Sequence, residues 1–303
     1  MKGTKRVITS LIAAILLVAL GGMAVLPIGV RGQFIAEAAG KGKTAKAKKN
    51  AKDAAALNKI IKAQVKSGAS ISRDLNNSSY IWGNKGRLEG INWSGSYGLS
   101  GSISLKAFSG LKSFNCFGNK KIEKLDISKN KELVTLSCAD NQLKKLDVSK
   151  NTKLTSLLCG MNKLTSLDIS KNTKLTNISC VYNNLKTLKC GKNSKLIMLN
   201  CKGNKLTQLN LNECVNLQKL YCEINEIKKL DLRGNKNLLL LECSCNQLKE
   251  LNLSRNNKLT SLTCDQNLFI RLDVSKNQKL ELIECNQGVT ISGAPKVCVI
   301  HEM

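Results

Sequence analysis

Cysteine is the residue with the most chemistry to offer in this sequence, and its spacing is regular. The 303-residue chain contains 13 cysteines, and nine of them recur at intervals of 21 or 22 residues. The nine are Cys116, Cys138, Cys159, Cys180, Cys201, Cys222, Cys243, Cys264 and Cys285. Thiols in such a series could hold a metal ion or form disulfides, so both kinds of chemistry have to be weighed first.

The spacing of these cysteines argues against both. If each interval is one turn of a stacked chain, equivalent Cβ atoms lie about 4.8 Å apart, the distance between neighbouring strands. A disulfide needs Cβ atoms about 3.5 to 4.5 Å apart. Zinc sites need compact groups such as C-x-x-C, and Cys243-Ser244-Cys245 is too short to supply one. We therefore expect nine buried, reduced thiols that pack as small apolar groups, and no metal or other cofactor.

Catalytic residues are scarce as well. His301 is the only histidine and lies two residues from the end of the sequence, which argues against a buried Ser-His or Cys-His pair. Aspartates also recur at one position in five of the repeats, whereas an active site would interrupt a repeat at one place. No glycine-rich phosphate loop is present. The sequence therefore predicts a protein that is not an enzyme.

The residues around each cysteine form a repeat. Residues 154–174 read LTSLLCGMNKLTSLDISKNTK, or L-x-x-L-x-C-x-x-N-x-L-x-x-L-D-x-S-x-N-x-x. This pattern resembles the leucine-rich-repeat family, whose units read L-x-x-L-x-L-x-x-N/C-x-L. The resemblance covers about 180 residues, 111–291, in nine copies. It implies a right-handed solenoid with a parallel β-sheet on one face and extended or 3₁₀ segments on the other, gently curved.

The polar residues of the repeat have predictable structural roles. One copy has too little apolar surface to fold alone, so successive copies must stack and share one core. An asparagine three residues after eight of the nine column cysteines can donate and accept hydrogen bonds where the chain turns inward. These asparagines are Asn119, Asn141, Asn162, Asn183, Asn204, Asn225, Asn246 and Asn267. The recurring Asp-x-Ser of the second half, as in Asp168 and Ser170, is expected to cap turns.

The residues before and after the repeats give the domain organisation. Residues 1–38 have a basic start, an apolar run and small residues at 36 and 38, as a secretory signal peptide does. An uncleaved membrane anchor over residues 7–30 is the alternative. We expect a basic linker with a possible short helix at 39–77, a cap containing Trp82 and Trp93 at 78–110, the solenoid at 111–291, and an end segment at 292–303.

The variable strand positions are where such a protein is expected to bind. In the middle copies they are apolar, and toward the C-terminal end they become acidic, a combination typical of a partner surface. The candidate residues on this concave strand face are Leu158, Met161, Val181, Tyr182, Met198, Tyr221, Ile224, Leu240, Glu223, Glu242, Asp265 and Glu284. Scattered apolar surface residues without a partner are the alternative reading.

The charge of the chain suggests a second kind of partner. Lysine and arginine total 48 against 21 acidic residues, a net charge of +27. Lysines recur on the opposite side from the strands, where they could contact an anionic wall polymer or lipid, or simply keep the solenoid soluble. They are Lys129, Lys150, Lys171, Lys192 and Lys276, beside Lys153, Lys174, Lys195, Lys258 and Lys279. Nucleic acid is disfavoured because aromatic residues are absent from this ridge.

The chain is similar to internalin-like bacterial leucine-rich-repeat proteins. Similarity to them implies a monomeric, non-catalytic protein, secreted or on the cell surface, that holds a protein or peptide ligand on its strand face. The chain departs from that pattern in its 21-residue units, its cysteine column and the lack of a C-terminal wall-sorting signal. We therefore do not infer host-cell adhesion from the resemblance. An envelope structural protein held by charge is the alternative function.

Overall fold

A parallel β-sheet dominates residues 48–302, the part of the chain that the computed structural model describes. One helix and 18 short strands follow each other along these residues, numbered here in chain order. They are α1 (Ala51–Lys66), β1 (Tyr80–Trp82), β2 (Leu88–Asn92), β3 (Ser100–Ser104), β4 (Ser113–Asn115), β5 (Lys121–Asp126), β6 (Thr135–Ser137), β7 (Ser156–Leu158), β8 (Ser166–Asp168), β9 (Asn177–Ser179), β10 (Thr187–Lys189), β11 (Met198–Asn200), β12 (Lys219–Tyr221), β13 (Leu240–Glu242), β14 (Ser261–Thr263), β15 (Arg271–Asp273), β16 (Leu282–Cys285), β17 (Thr290–Ser292) and β18 (Val299–Glu302).

The main sheet has 12 strands in the order β1-β2-β4-β6-β7-β9-β11-β12-β13-β14-β16-β18. All neighbours pair in parallel and in register except β1, which lies antiparallel to β2. Each strand comes from one turn of the chain, called a rung here. The opposite side, called the back, is extended and carries the two-stranded sheets β3-β5, β8-β10 and β15-β17. This is a parallel leucine-rich-repeat solenoid, and the prediction of the fold class is confirmed.

The core is one continuous apolar column between the sheet and the back. The central residue of each strand and the column cysteine two residues later point into it, as Leu157 and Cys159 do, both with no exposed surface. The two-residue alternation of a strand explains the pattern, because Ser156 and Leu158 then face outward. The nine column cysteines are all buried, as free thiols. They occupy the shared interior that the repeat predicts.

An asparagine ladder closes the turn after each strand. The Nδ2 group of Asn162 donates to the carbonyl of Cys159 in its own rung at 3.1 Å and of Cys138 in the preceding rung at 3.0 Å. Its Oδ1 accepts from the backbone N–H of Leu143 at 2.9 Å. One buried side chain thus satisfies backbone groups of two rungs. The same bonds recur at the other positions from Asn183 to Asn267, which confirms the predicted ladder.

A second asparagine ladder runs along the back. It consists of Asn130, Asn151, Asn172, Asn193, Asn235, Asn256 and Asn277, each with no exposed surface. Asn172 is representative, with Nδ2 donating at 2.9 Å to the carbonyls of both Val148 and Asn151 in the preceding rung. The Oδ1 atoms of this ladder have no hydrogen-bond partner among the described residues. The second ladder therefore uses only its donors, unlike the first.

The predicted aspartate turn caps are also present. The carboxylate of Asp168 accepts the backbone N–H of Ser170 at 2.9 Å, and Asp147 and Asp273 do the same for Ser149 and Ser275. The hydrogen bonds from Ser170 lower the pKa of Asp168 below its usual value. A carboxylate that repeats with this partner in several rungs caps a turn, as the sequence indicated.

The first rungs are covered by helix α1 and the aromatic cap. Asp53 of α1 is buried and accepts from Arg87 Nε at 2.7 Å and from the backbone N–H of Leu88 at 2.9 Å. Trp93 is buried with its ring edge-to-face against Tyr80 and Phe114, at centroid distances of 6.2 and 6.0 Å. Leu57 of α1 belongs to the same core as the rungs. Residues of α1 and of the cap thus extend the apolar core beyond the first rungs.

The elements next to the repeats pack together with the solenoid. The sequence placed a possible helix in a linker at 39–77, whereas α1 packs into the cap, because Leu57 and Ile61 are buried there. Strand β2, assigned to the cap, already belongs to the main sheet, and β18 of the end segment pairs in parallel with β16. The predicted signal peptide lies outside the described residues. Within residues 48–302, no helix is both long and apolar enough to span a membrane.

Candidate functional site

The outward side of the main sheet and the turns that follow its strands carry all twelve candidate residues. Met198 and Leu240 begin their strands, while Leu158, Tyr221, Glu242 and Glu284 occupy the outward position next to the column cysteine. Val181, Glu223 and Asp265 come directly after a column cysteine, and Met161, Tyr182 and Ile224 one residue later. The in-register pairing places equivalent residues side by side. The surface formed by these twelve residues is called the strand face below.

The apolar half of the strand face is only partly accessible. Leu158, Val181 and Tyr182 are half-buried, and Ile224 is 44% exposed. Met198 and Tyr221 are each only 7% exposed, and the in-register pairing places each between strands of two neighbouring rungs. The sequence treated all of these as exposed, but burial at this face depends on the size of the side chain in the next rung. The accessible apolar surface is therefore smaller than the sequence suggests.

Three of these apolar residues have an uncommon backbone. Met161, Tyr182 and Ile224 have φ values of 54°, 49° and 54°, in the left-handed region. That region costs a non-glycine residue roughly 1 to 2 kcal/mol. The equivalent residue in another rung is Gly203, where a Cβ would meet the Tyr182 ring at 2.5 Å. The exit turn thus presents large side chains outward although glycine would fit its backbone better.

A carboxylate cluster occupies the acidic half. Glu223 is 5% exposed, and its Oε1 lies 2.9 Å from Lys202 Nζ. Its Oε2 is buried and has no donor among the described residues. The side chain of Glu242 in the next rung faces Glu223 within hydrogen-bonding reach. Asp265, also 5% exposed, accepts from Ser244 Oγ. Two carboxyl groups therefore face each other at this surface with one lysine beside them.

This arrangement changes the protonation of Glu242. Burial, and then the hydrogen bond and the negative charge of Glu223, raise the pKa of Glu242 from 4.5 to about 8. At neutral pH Glu242 therefore keeps its proton and can donate it to the otherwise unsatisfied Glu223 Oε2. Burial, and then the charges of the same two glutamates, raise the pKa of Tyr221. A cation placed between the two carboxyl groups would take over the role of that proton.

A row of polar side chains at the C-terminal end superficially suggests catalysis. Thr263, Glu284 and His301 sit at equivalent positions on β14, β16 and β18. Thr263 Oγ1 donates to Glu284 Oε2 at 3.1 Å, and His301 Nδ1 lies 3.8 Å from Glu284 Oε1. The carboxylate stands between the hydroxyl and the imidazole, so the imidazole is not placed to take the proton of Thr263. The row is a polar extension of the strand face.

The column cysteines lie below this surface. Burial raises the pKa of Cys138 and of Cys180 to about 12. Thiols with such pKa values are protonated at neutral pH and react slowly, because the thiolate is the nucleophile. No group of three or more His, Cys, Asp or Glu residues suited to a metal ion occurs in the described part of the chain.

These features together define an internalin-like leucine-rich-repeat solenoid with a cysteine column. The functional domain of InlJ from Listeria monocytogenes, which includes a cysteine ladder, matches at 30% sequence identity and a TM-score of 0.52. The match covers 75% of this chain and 54% of that one, so this chain spans about half the length of that domain. The cysteine column, predicted to set this chain apart from internalins, is thus a shared feature and not a departure.

Two further solved structures share the fold. The internalin InlF from Listeria monocytogenes matches at 18% identity with a TM-score of 0.53, covering 65% of this chain and 68% of that one. YopM from Yersinia enterocolitica matches at 24% identity with a TM-score of 0.57, covering 71% of this chain and 45% of that one. No protein-family model and no curated protein sequence matches the chain. The similarity to the three solved structures shows that the chain has a bacterial internalin-like leucine-rich-repeat fold, a kind of scaffold suited to protein interaction.

Proposed function

We propose that the strand face binds a protein partner that presents basic and apolar side chains together. The observation that supports the proposal is a local group of acidic residues on a protein that is otherwise strongly basic. The whole chain has a net charge of +27, yet Glu223, Glu242, Asp265 and Glu284 gather on four successive rungs of one face. A lysine or arginine of the partner enters between Glu223 and Glu242, and apolar partner groups contact Leu158, Val181 and Ile224. Complementary charge of this kind steers and orients a partner.

The proposed function extends to where the protein acts. A secreted or cell-surface location fits the basic and apolar composition of residues 1–38 and the similarity to the InlJ domain. The ligand-binding role is non-catalytic, and the chain acts as a monomer. Its partner lies in the medium, on the envelope or on another cell.

Binding of a basic partner is expected to strengthen as the pH rises from 6 toward 8. The cation favours ionised Glu242, whose pKa of about 8 keeps it protonated at lower pH. In the free chain, stability changes with pH in the opposite direction. The stabilisation from protonated Glu242 is complete below the ordinary value of 4.5 and is lost as the pH rises through about 8. Immobilised chain is used to capture proteins from culture medium and from envelope extracts at both pH values, with quantitative mass spectrometry.

Three variants test this assignment. Glu242→Lys is expected to weaken capture at least tenfold, because it brings a positive charge beside Lys202. Glu242→Gln mimics the protonated acid and should bind weakly at both pH values. Glu250→Lys makes the same charge change at an exposed position outside the strand face and should bind like the native chain. Equal capture by all three variants would show that the strand face is not the binding surface.

A second candidate function rests on the lysine ridge. All ten lysines predicted to form it are exposed, among them Lys129, Lys171 and Lys276. An envelope structural protein held to an anionic wall polymer or lipid through this ridge would be released from cells by washing at about 1 M salt, where the screening length falls to about 3 Å. Retention after that wash would exclude purely electrostatic attachment and leave the strand face as the binding surface.

A further inference from the structure

Two exceptions to the repeat stand in neighbouring rungs on the back. Cys190 occupies the position where the other repeats carry an aliphatic residue, and Cys214 occupies the second-ladder position, otherwise asparagine. The aliphatic equivalents of Cys190 are Ile127, Val148, Ile169, Leu211, Leu232, Leu253 and Val274. Each exception occurs once in the array. The two exceptions lie in adjacent rungs, 24 residues apart.

The second ladder shows why these positions meet. Six of its asparagines donate Nδ2 to the carbonyl of the residue 24 positions earlier, in the preceding rung: Asn151 to Ile127, Asn172 to Val148, Asn193 to Ile169, Asn235 to Leu211, Asn256 to Leu232 and Asn277 to Leu253. Residue 24 positions before Cys214 is Cys190. Cys214 is 0% and Cys190 is 2% exposed, and the two thiols lie close enough to shift each other's pKa.

The backbone around Cys190 is adapted to this contact. The next residue is Gly191 with φ 61°, where the equivalent residues of most other rungs are serine. A Cβ at Gly191 would lie 2.6 Å from the Cβ of Ser170, so the turn requires glycine. Asn193 donates to the carbonyl of Cys190 in its own rung, so this carbonyl keeps a donor although residue 214 is not asparagine. The turn after Cys190 therefore differs from the equivalent turns of most other rungs.

The ladder also explains why cysteine is tolerated at position 214. The Oδ1 atoms of the second-ladder asparagines accept no hydrogen bond from the described residues. Replacing such an asparagine loses donors but leaves no buried N–H without its acceptor. In the first ladder the same change would also leave a backbone N–H unsatisfied, as the bond from Leu143 to Asn162 shows. A cysteine is therefore less destabilising in the second ladder than it would be in the first.

We propose that Cys190 and Cys214 form a reversible disulfide that joins two successive rungs on the back of the solenoid. The oxidant is a low-molecular-weight disulfide. A sulfur of the pair attacks one sulfur of the oxidant and releases its first thiolate. The second cysteine then loses its proton, attacks the mixed disulfide and releases the second thiol. Two electrons pass from the pair to the oxidant, and two protons end on the released thiols or in solvent.

The pair differs from the column cysteines in the features that decide reactivity. The hydrogen bond between the two thiols lowers the pKa of Cys214 and raises that of Cys190, so Cys214 ionises first. In the column, by contrast, burial alone raises the pKa of Cys138 to about 12. Cys214 is thus the attacking sulfur, and the column stays reduced. This bridge is independent of the proposed binding function and lies away from the strand face.

The first test counts thiols in the full-length chain after exposure to oxidised glutathione. Because both cysteines are buried, one sample is treated in the folded state and another during refolding from urea. Denaturation and alkylation should then find eleven thiols instead of thirteen. Digestion with trypsin should yield the peptide 190–192 linked to the peptide 206–219. Thirteen free thiols in both samples, or a link that involves only column cysteines, would refute the bridge.

Variants separate the bridge from general effects of oxidation. The double variant Cys190→Ile and Cys214→Asn restores the residues of the neighbouring rungs and should fold. The oxidised native chain should unfold at a higher urea concentration than the reduced chain, and the double variant should show no such shift. Cys264→Ala removes a column thiol, is expected to lower stability, and should retain the redox shift. An equal shift in the double variant would assign the effect to other cysteines.

Discussion

Replacing Asn183 by alanine is expected to destabilise the chain by about 2 to 3 kcal/mol. Its Nδ2 donates to the carbonyls of Cys159 and Cys180, both at 3.1 Å, and its Oδ1 accepts from the N–H of Leu164 at 3.0 Å. The alanine variant leaves the N–H of Leu164 buried without its acceptor, at roughly 1 to 3 kcal/mol. The two carbonyls each lose one of two donors, because Asn162 still donates to Cys159 and Asn204 still donates to Cys180. The measurement is urea unfolding followed by circular dichroism.

The neighbouring Asn184 supplies a matched control. It is half-buried, and its side chain takes no part in the ladder, so Asn184→Ala should change stability by less than about 0.5 kcal/mol. Similar losses for both variants would mean that the effect comes from the helix and turn propensities of asparagine and not from the ladder.

Leu199→Ala is expected to cost about 2 to 5 kcal/mol, the usual range for a buried leucine. Leu199 has no exposed surface and is the central residue of β11, paired with Ile178 on one side and Leu220 on the other. Because each rung is stabilised only by its neighbours, a cavity here also weakens the coupling between the two halves of the array. The unfolding transition should therefore broaden as well as shift.

The control for this change is Ser179→Ala in the adjacent strand. Ser179 faces outward and is only half-buried, so loss of its hydroxyl should leave both the midpoint and the width nearly unchanged. A sharp single transition for Leu199→Ala, with no loss of stability, would show that the rungs do not share a continuous core.

Much of the fold is predictable from the sequence because the repeat itself carries the information. The interval between cysteines fixes the length of a rung, and the alternation Leu157, Leu158, Cys159 fixes which side chains enter the core. The asparagine after each strand predicts its own ladder, since a buried turn must satisfy its backbone groups. Because the same pattern occurs in nine copies, few other topologies are compatible with the sequence.

The details that differ between rungs are harder to predict. The burial of Met198 and Tyr221 depends on side chains in the adjacent rungs, and the raised pKa of Glu242 depends on its own burial and on Glu223 in the preceding rung. Docking of α1 rests on the contact between Asp53 and Arg87, 34 residues apart. The contact of Cys190 and Cys214 follows from a separation of 24 residues, which has meaning only once the ladder geometry is known. Contacts between rungs, not the repeat, determine all of these.

The in-register pairing of the strands also restricts the shape of what can lie along the sheet. Equivalent side chains of successive rungs are spaced by about 4.8 Å, whereas an extended peptide presents side chains of one side every 6.6 Å or so, twice its rise per residue of about 3.3 Å. The two spacings fall out of step within a few residues. A helix advances about 5.4 Å per turn, which stays closer to the pitch of the rungs. Geometry alone thus favours a helical partner over an extended one along this axis.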